Sequence, residues 1–134
     1  MNQRTDRGVA DFRPAAYVPS KIKKSAGTGD PEPVALVRNP DILAELSTDR
    51  PRAGQIVVGF AAETDNVLAN GREKLARKRC DLLVVNEVGE RKTFGSEESE
   101  AVVLGADGSE TAVPYGPKEA LSDKVWDLVA LRFP

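Results

Sequence analysis

The stretch Gln55-Ile56-Val57-Val58-Gly59-Phe60-Ala61, followed after one helix-length interval by Asp81-Leu82-Leu83-Val84-Val85-Asn86, decides the fold class. Both runs are continuously apolar rather than alternating, as expected of parallel strands covered on both faces. The first is expected to be a central strand. Between them, Thr64 or Asp65 caps a helix that reaches about Arg79, so the three segments form a β-α-β unit. Upstream, Val34 to Val37 predicts a short strand, and Asn39-Pro40-Asp41 predicts a helix start running to about Leu46. There Asn39 would cap orphan N–H groups, and Pro40 suits the first helical position, where its missing N–H goes unused. Downstream, Ala101 to Leu104 and Thr111 to Val113 flank Ala106-Asp107-Gly108-Ser109, whose Asp-Gly pair accepts the positive φ of a tight hairpin turn. Pro117 then opens a helix with Leu121, Val125, Leu128 and Val129 on one face and Trp126 beside them.

The order β-α-β-α-β-hairpin-α predicts an α/β domain: a Rossmann-like, mostly parallel sheet with a C-terminal antiparallel hairpin and helix. Residues 34–134 carry these signals. Residues 1–33 are rich in Pro, Gly and Lys and read mostly as an N-terminal segment with a flexible Lys-rich loop.

Composition narrows the function classes. A chain of 134 residues with 40% hydrophobic residues fits one compact core. No apolar run approaches the ~18 residues that cross a bilayer, and the polar N-terminus has no secretory pattern. These features predict a soluble, cytoplasmic protein without a membrane partner. The net charge of −2 argues against a nucleic-acid footprint. With no histidine and a single cysteine, zinc ligation, a His base and a Cys-His pair are excluded, leaving oxygen-bound Mg²⁺ as the metal to consider. Cys80 reads as a small buried hydrophobe.

Neither of the two common nucleotide fingerprints, GxGxxG after a strand or GxxxxGK[ST], is present. Several features still suit phosphate chemistry. Lys21-Ile22-Lys23-Lys24 lies ahead of Gly27 and Gly29, a composition for a lid over a polyanion, although a solvated loop has the same composition. Lys74 and Lys78 are spaced i,i+4 and share a helix face. The Asn39 to Ile42 helix start offers free N–H groups. Asp11 and Asp41 are candidate Mg²⁺ ligands, since that ion accepts one or two carboxylates and retains waters. Phe60 is a core or base-stacking residue.

Successive segments resemble the motifs of the bacterial phosphopantothenoylcysteine synthetase domain. They are Val9-Ala10-Asp11-Phe12-Arg13-Pro14, Lys21-Ile22-Lys23-Lys24, Asn39-Pro40-Asp41-Ile42-Leu43 and Val57-Val58-Gly59-Phe60-Ala61-Ala62-Glu63-Thr64, in order and spacing. Lys74, the Lys78 to Leu83 segment, Val85-Asn86-Glu87-Val88 and Phe94-Gly95-Ser96 continue the match. This domain is commonly the C-terminal half of a bifunctional flavoprotein whose other half is a decarboxylase. The resemblance implies a ligase of coenzyme A biosynthesis that activates 4'-phosphopantothenate with CTP and couples it to cysteine, with Mg²⁺. It implies Lys21 as the catalytic residue on a mobile loop. Asp11, Lys21, Pro40, Asp41, Ile42, Leu43, Phe60, Lys74 and Lys78 would surround the nucleotide, and Asp11 and Asp41 would hold the metal. A homodimer, or association with a flavin-dependent decarboxylase, is the implied assembly. Against the family pattern, the first β-α unit is expected to be missing, and Glu97 and Ser99 replace the Asp and Asn of the Phe-Gly-Ser segment. The alternative is a catalytically inactive truncated homologue acting as a nucleotide-binding or interaction domain.

Overall fold

A computed structural model describes residues 10–22, 29, 32–88 and 98–134, without the side chains of 98 and 99. Lys23, Lys24, Val9 and the Phe94 to Glu97 part of the motifs lie outside the described residues. Contacts divide the chain into two units, Met1–Ile42 and Leu43–Pro134.

In the first unit, β1 (Phe12–Pro14) pairs antiparallel with β2 (Leu36–Arg38), with Phe12 opposite Arg38 and Pro14 opposite Leu36. The strand expected at Val34 to Val37 therefore forms later and in a separate two-stranded sheet. Asn39 does not cap a helix. Its backbone N–H donates to Asp11 O at 2.8 Å, its side-chain amide donates to Ala10 O at 2.7 Å, and its Oδ1 accepts from Arg13 at 2.9 Å. The helix α1 (Ile42–Thr48) begins two residues beyond Pro40. A tertiary tie that occupies both ends of the Asn39 amide outcompetes the local cap.

The second unit is a four-stranded mixed sheet ordered β3-β4-β5-β6. Parallel β3 (Val58–Glu63) and β4 (Leu82–Glu87) are joined by α2 (Val67–Lys78), the expected β-α-β unit. β5 (Glu98–Gly105) pairs antiparallel with β4 and with β6 (Glu110–Pro117), so one of three ladders is parallel. The helix α3 (Lys118–Ala130) follows. The hairpin turn falls at Ala106 to Ser109, with Gly108 at φ 88° and Asp107 Oδ1 accepting the Ser109 backbone N–H at 3.0 Å.

β4 occupies the centre: Leu82, Leu83, Val84 and Val85 are buried. β3, expected to be central, is instead the terminal strand among the described residues, and its Phe60 is 66% exposed. Side chains alternate across the sheet. On one face Val57, Leu83, Val85 and Leu104 pack with Leu75 of α2. On the other, Leu82, Val84, Val103 and Val113 pack with Leu121, Val125, Leu128 and Val129 of α3, the helix face read from spacing. Cys80 is buried, as expected.

Candidate functional site

Open α/β sheets bind ligands at the carboxyl ends of their parallel strands, which here is the end of β3 and β4 at Glu63 and Glu87. Register sets Glu63 beside Glu87 at that end. Two adjacent carboxylates repel, and Lys74 offsets the charge, its ammonium lying 2.5 Å from Glu63 Oε1. Glu63 is the more enclosed partner, its side chain 12% exposed against 35% for Lys74. Lys74 reaches this end from the middle of α2 because helical side chains lean toward the helix amino terminus. That terminus also lies there: α2 is entered through Thr64, Asp65 and Asn66, the last at φ 43° with no side-chain cap bond. Lys78 shares the helix face but is the last residue of α2, one turn nearer the amino end of β4.

Phe60 projects on the opposite face. With Asn86 of β4 and Lys118 of α3 it lines a groove of about 1120 Å³. Leu43 of α1 packs on the α2 side, against the core that includes Ala61 and Val67.

The remaining sequence-predicted residues belong to the first unit. The Asp11 carbonyl accepts the Asn39 N–H, so Asp11 and the Pro40-Asp41 turn come to the same end of the two-stranded ladder. Asp11, Pro40 and Asp41 are exposed. No cluster of three or more His, Cys, Asp or Glu able to hold a metal occurs among the described residues. Ile42 is exposed at the start of α1, a helix of seven residues. Lys21 is exposed on the segment that follows β1.

Reading from residues alone missed the groups that hold the amino end of the β-α-β unit. Arg50 donates to Asp81 Oδ2 at 2.6 Å and to the carbonyls of Ser47, Gln55 and Arg79 at 3.1, 2.7 and 3.0 Å. The same Asp81 oxygen accepts the Val57 N–H at 2.8 Å. The one sequence signal was Asp81, a charged residue directly abutting the second apolar run. Cys80 lies beside this network, and burial pushes its thiol pKa up.

Residues 7–132 match the family model for the DNA/pantothenate metabolism flavoprotein C-terminal domain. The chain belongs to this family. Among curated relatives, the coenzyme A biosynthesis bifunctional protein CoaBC of Mycolicibacterium smegmatis is 46% identical over 132 residues, covering 91% of this chain and 31% of that protein. CoaBC of Escherichia coli K12 is 38% identical over 128 residues, covering 93% and 30%. This flavoprotein-family chain thus spans about a third of the length of these relatives. The solved C-terminal domain of CoaBC superposes with a TM-score of 0.67 at 23% identity, covering 92% of this chain and 50% of that one. A Streptococcus pneumoniae DNA/pantothenate metabolism flavoprotein gives 0.66 at 15%, covering 92% and 57%. These matches bear out the family resemblance drawn from the motifs, and the α/β, Rossmann-like class with it. No helix among the described residues is long and apolar enough to cross a membrane.

Proposed function

We propose that this chain is the nucleotide-binding portion of a phosphopantothenate–cysteine ligase of coenzyme A biosynthesis. The observation that carries the reading is the family match across residues 7–132, with relatives named as coenzyme A biosynthesis proteins. In the proposed reaction, a carboxylate oxygen of 4'-phosphopantothenate attacks the α-phosphorus of CTP, and the bond to pyrophosphate breaks. The amine of cysteine then attacks the acyl carbon of the acyl-cytidylate, CMP leaves with the C–O electron pair, and the amine loses a proton.

In this reading Phe60 offers an exposed ring face to the base, and Lys21 covers the activated acyl group. Leu43, Ile42 and the Pro40-Asp41 turn flank the nucleotide. Lys74 and Lys78 contribute positive charge, and any phosphate that recruits Lys74 must compete with Glu63 for its ammonium. Asp11 and Asp41 would hold Mg²⁺, which neutralises phosphate charge as it develops. A homodimer or a flavin-dependent decarboxylase partner, in the cytoplasm, belongs to the same proposal.

A second reading is nucleotide binding or protein interaction without turnover. Isothermal titration with CTP and ATP in Mg²⁺ tests the shared step. CTP binding that Phe60→Ala weakens tenfold or more supports nucleotide binding in either reading, and no heat with either nucleotide overturns the ligase reading and leaves only protein interaction. Pyrophosphate release on adding 4'-phosphopantothenate and cysteine then supports turnover, while its absence leaves the binding reading.

A further inference from the structure

We propose that Glu63 is the positioning residue for Lys74: its enclosed carboxylate fixes the ammonium at the carboxyl end of β3, so that a ligand phosphate meets a cation already in place. The inference rests on the nucleotide-binding reading and adds to it a residue that acts through Lys74. Burial gives the first observation. Glu63 and Glu87 end neighbouring strands side by side, but Glu87 is exposed while the Glu63 side chain is only 12% exposed. Its Oε1 is closed to solvent and has no well-directed hydrogen bond among the described residues, which leaves the Lys74 ammonium at 2.5 Å as its compensation. Drawing that ammonium away would strand a buried charge, the costly outcome for an enclosed pair. In the competition with a phosphate Glu63 therefore keeps its hold, and the phosphate is met by the N–H donors that remain of the three.

The second observation is the packing that sets the distance. A Cβ on Gly71 would lie 2.7 Å from Leu104 Cδ1 and 2.9 Å from Val85 Cγ2, so the missing side chain lets α2 lie close against β4 and β5 one turn ahead of Lys74. Leu75, the next residue, is buried in the same core as Val57 and packs with Ala61. With α2 held there, and with helical side chains leaning toward the helix amino terminus, Lys74 spans from mid-α2 to the end of β3. Its side chain remains 35% exposed, so the head is open to a ligand. Two other cations of α2 are committed elsewhere: Arg72 donates to the Gly105, Gly108 and Ser109 carbonyls of the hairpin, and Arg77 pairs with Glu73 on the surface. An apolar pair would close α2 on β3 at least as well as an enclosed ion pair. A carboxylate set under a lysine at the ligand-binding end of the sheet is explained by the cation it holds there.

Isothermal titration of variants of the chain with CTP and Mg²⁺ tests it, with urea midpoints from Trp126, the single tryptophan, showing that each is folded. Glu63→Asp keeps the charge but draws the acceptor back by one methylene, and should weaken CTP binding about fivefold or more, part of one charge-assisted contact. Glu63→Gln keeps the acceptor in place without the charge, and should bind CTP as well as the parent or better. In a Lys74→Gln background, Glu63→Asp should bring no further loss. Glu73→Gln removes the same charge from the exposed pair on α2 and should leave affinity unchanged. A pair that only fastens α2 to the sheet would shift the urea midpoints and leave affinity alone. A carboxylate that only repels phosphate would make Glu63→Gln tighter and Glu63→Asp neutral. Parental CTP affinity in Glu63→Asp, a loss in Glu63→Gln as large as in Glu63→Asp, or a loss that persists without Lys74 overturns the proposal while nucleotide binding stands. No heat with CTP in the parent overturns the nucleotide reading and this inference together, so the two failures are told apart.

Discussion

Replacing Gly71 by Ala sets two known effects against each other inside α2. In an exposed helix interior the change would stabilise by about 0.8–1 kcal/mol, because Ala loses less backbone entropy than Gly. Gly71 is not exposed. A Cβ built there would lie 2.7 Å from Leu104 Cδ1 and 2.9 Å from Val85 Cγ2, and both side chains are fully buried. Carbon atoms need about 3.5–4.0 Å, so either these side chains leave their rotamers or the helix lifts from the sheet. Overpacking of this kind costs roughly 1–3 kcal/mol. Steric cost outweighs propensity, and we expect Gly71→Ala to destabilise by about 1–2 kcal/mol, lowering Tm by roughly 5–10 °C. Urea unfolding followed by Trp126 fluorescence measures it. Ala69→Gly, at an exposed position of the same helix, calibrates the propensity term and should cost about 0.8–1 kcal/mol. A Gly71→Ala protein more stable than the parent would refute the close approach of α2 to the sheet. Lys74 sits three residues further on, so the same lift would also loosen its pairing with Glu63.

Arg50→Ala should destabilise the second unit by about 2–3 kcal/mol, since it removes a charge-assisted bond to Asp81 together with three carbonyl contacts; a loss under about 0.5 kcal/mol in urea unfolding would show that solvent replaces the network at no cost. Cys80 should resist thiol reagents at pH 8 until the protein unfolds, because burial both hides the sulfur and keeps it protonated; labelling within minutes under native conditions would contradict this. The Asp107 carboxyl is held below its ordinary value, first by the Ser109 hydroxyl, then by the Ser109 backbone N–H, with Arg132 adding. A lowered folded pKa contributes stability that is present above the unfolded value of about 3.9 and is lost as pH falls through the folded one. Asp107→Asn should therefore flatten the acid limb of the stability profile, and an unchanged limb would deny the turn any part in it.

What could be read in the sequence follows from how local each signal is. Leu82 to Val85 is four apolar residues with no polar interruption, and it became the buried strand β4. The Asp107-Gly108 turn and the Pro117 helix start are likewise decided within four residues of chain, and both formed where expected. β1 and β2 are three exposed residues each, too short to show a period. Their pairing rests on Asn39 and Arg13, 26 residues apart. Arg50 and Asp81 are 31 residues apart. For the site, i,i+4 spacing placed Lys74 and Lys78 on one helix face but carried no information on height. Height is set by where β3 ends, and there Glu63 takes the Lys74 ammonium.

The position of β3 is the most instructive difference. A continuous apolar run reports that both faces of a strand meet apolar neighbours; it does not count the strands on either side. Gln55 to Ala61 satisfies the first condition in part, with Val57 and Ala61 on the α2 core and Ile56 and Val58 on the α3 core. The second condition is written elsewhere, in residues that make an edge tolerable. β6 contains two prolines and ends the sheet. β3 contains none and also ends it, while leaving Phe60 in the open. A continuous apolar run therefore reports the two faces of a strand and leaves its place in the strand order to be set by pairing, which among the described residues gives β3 the single partner β4.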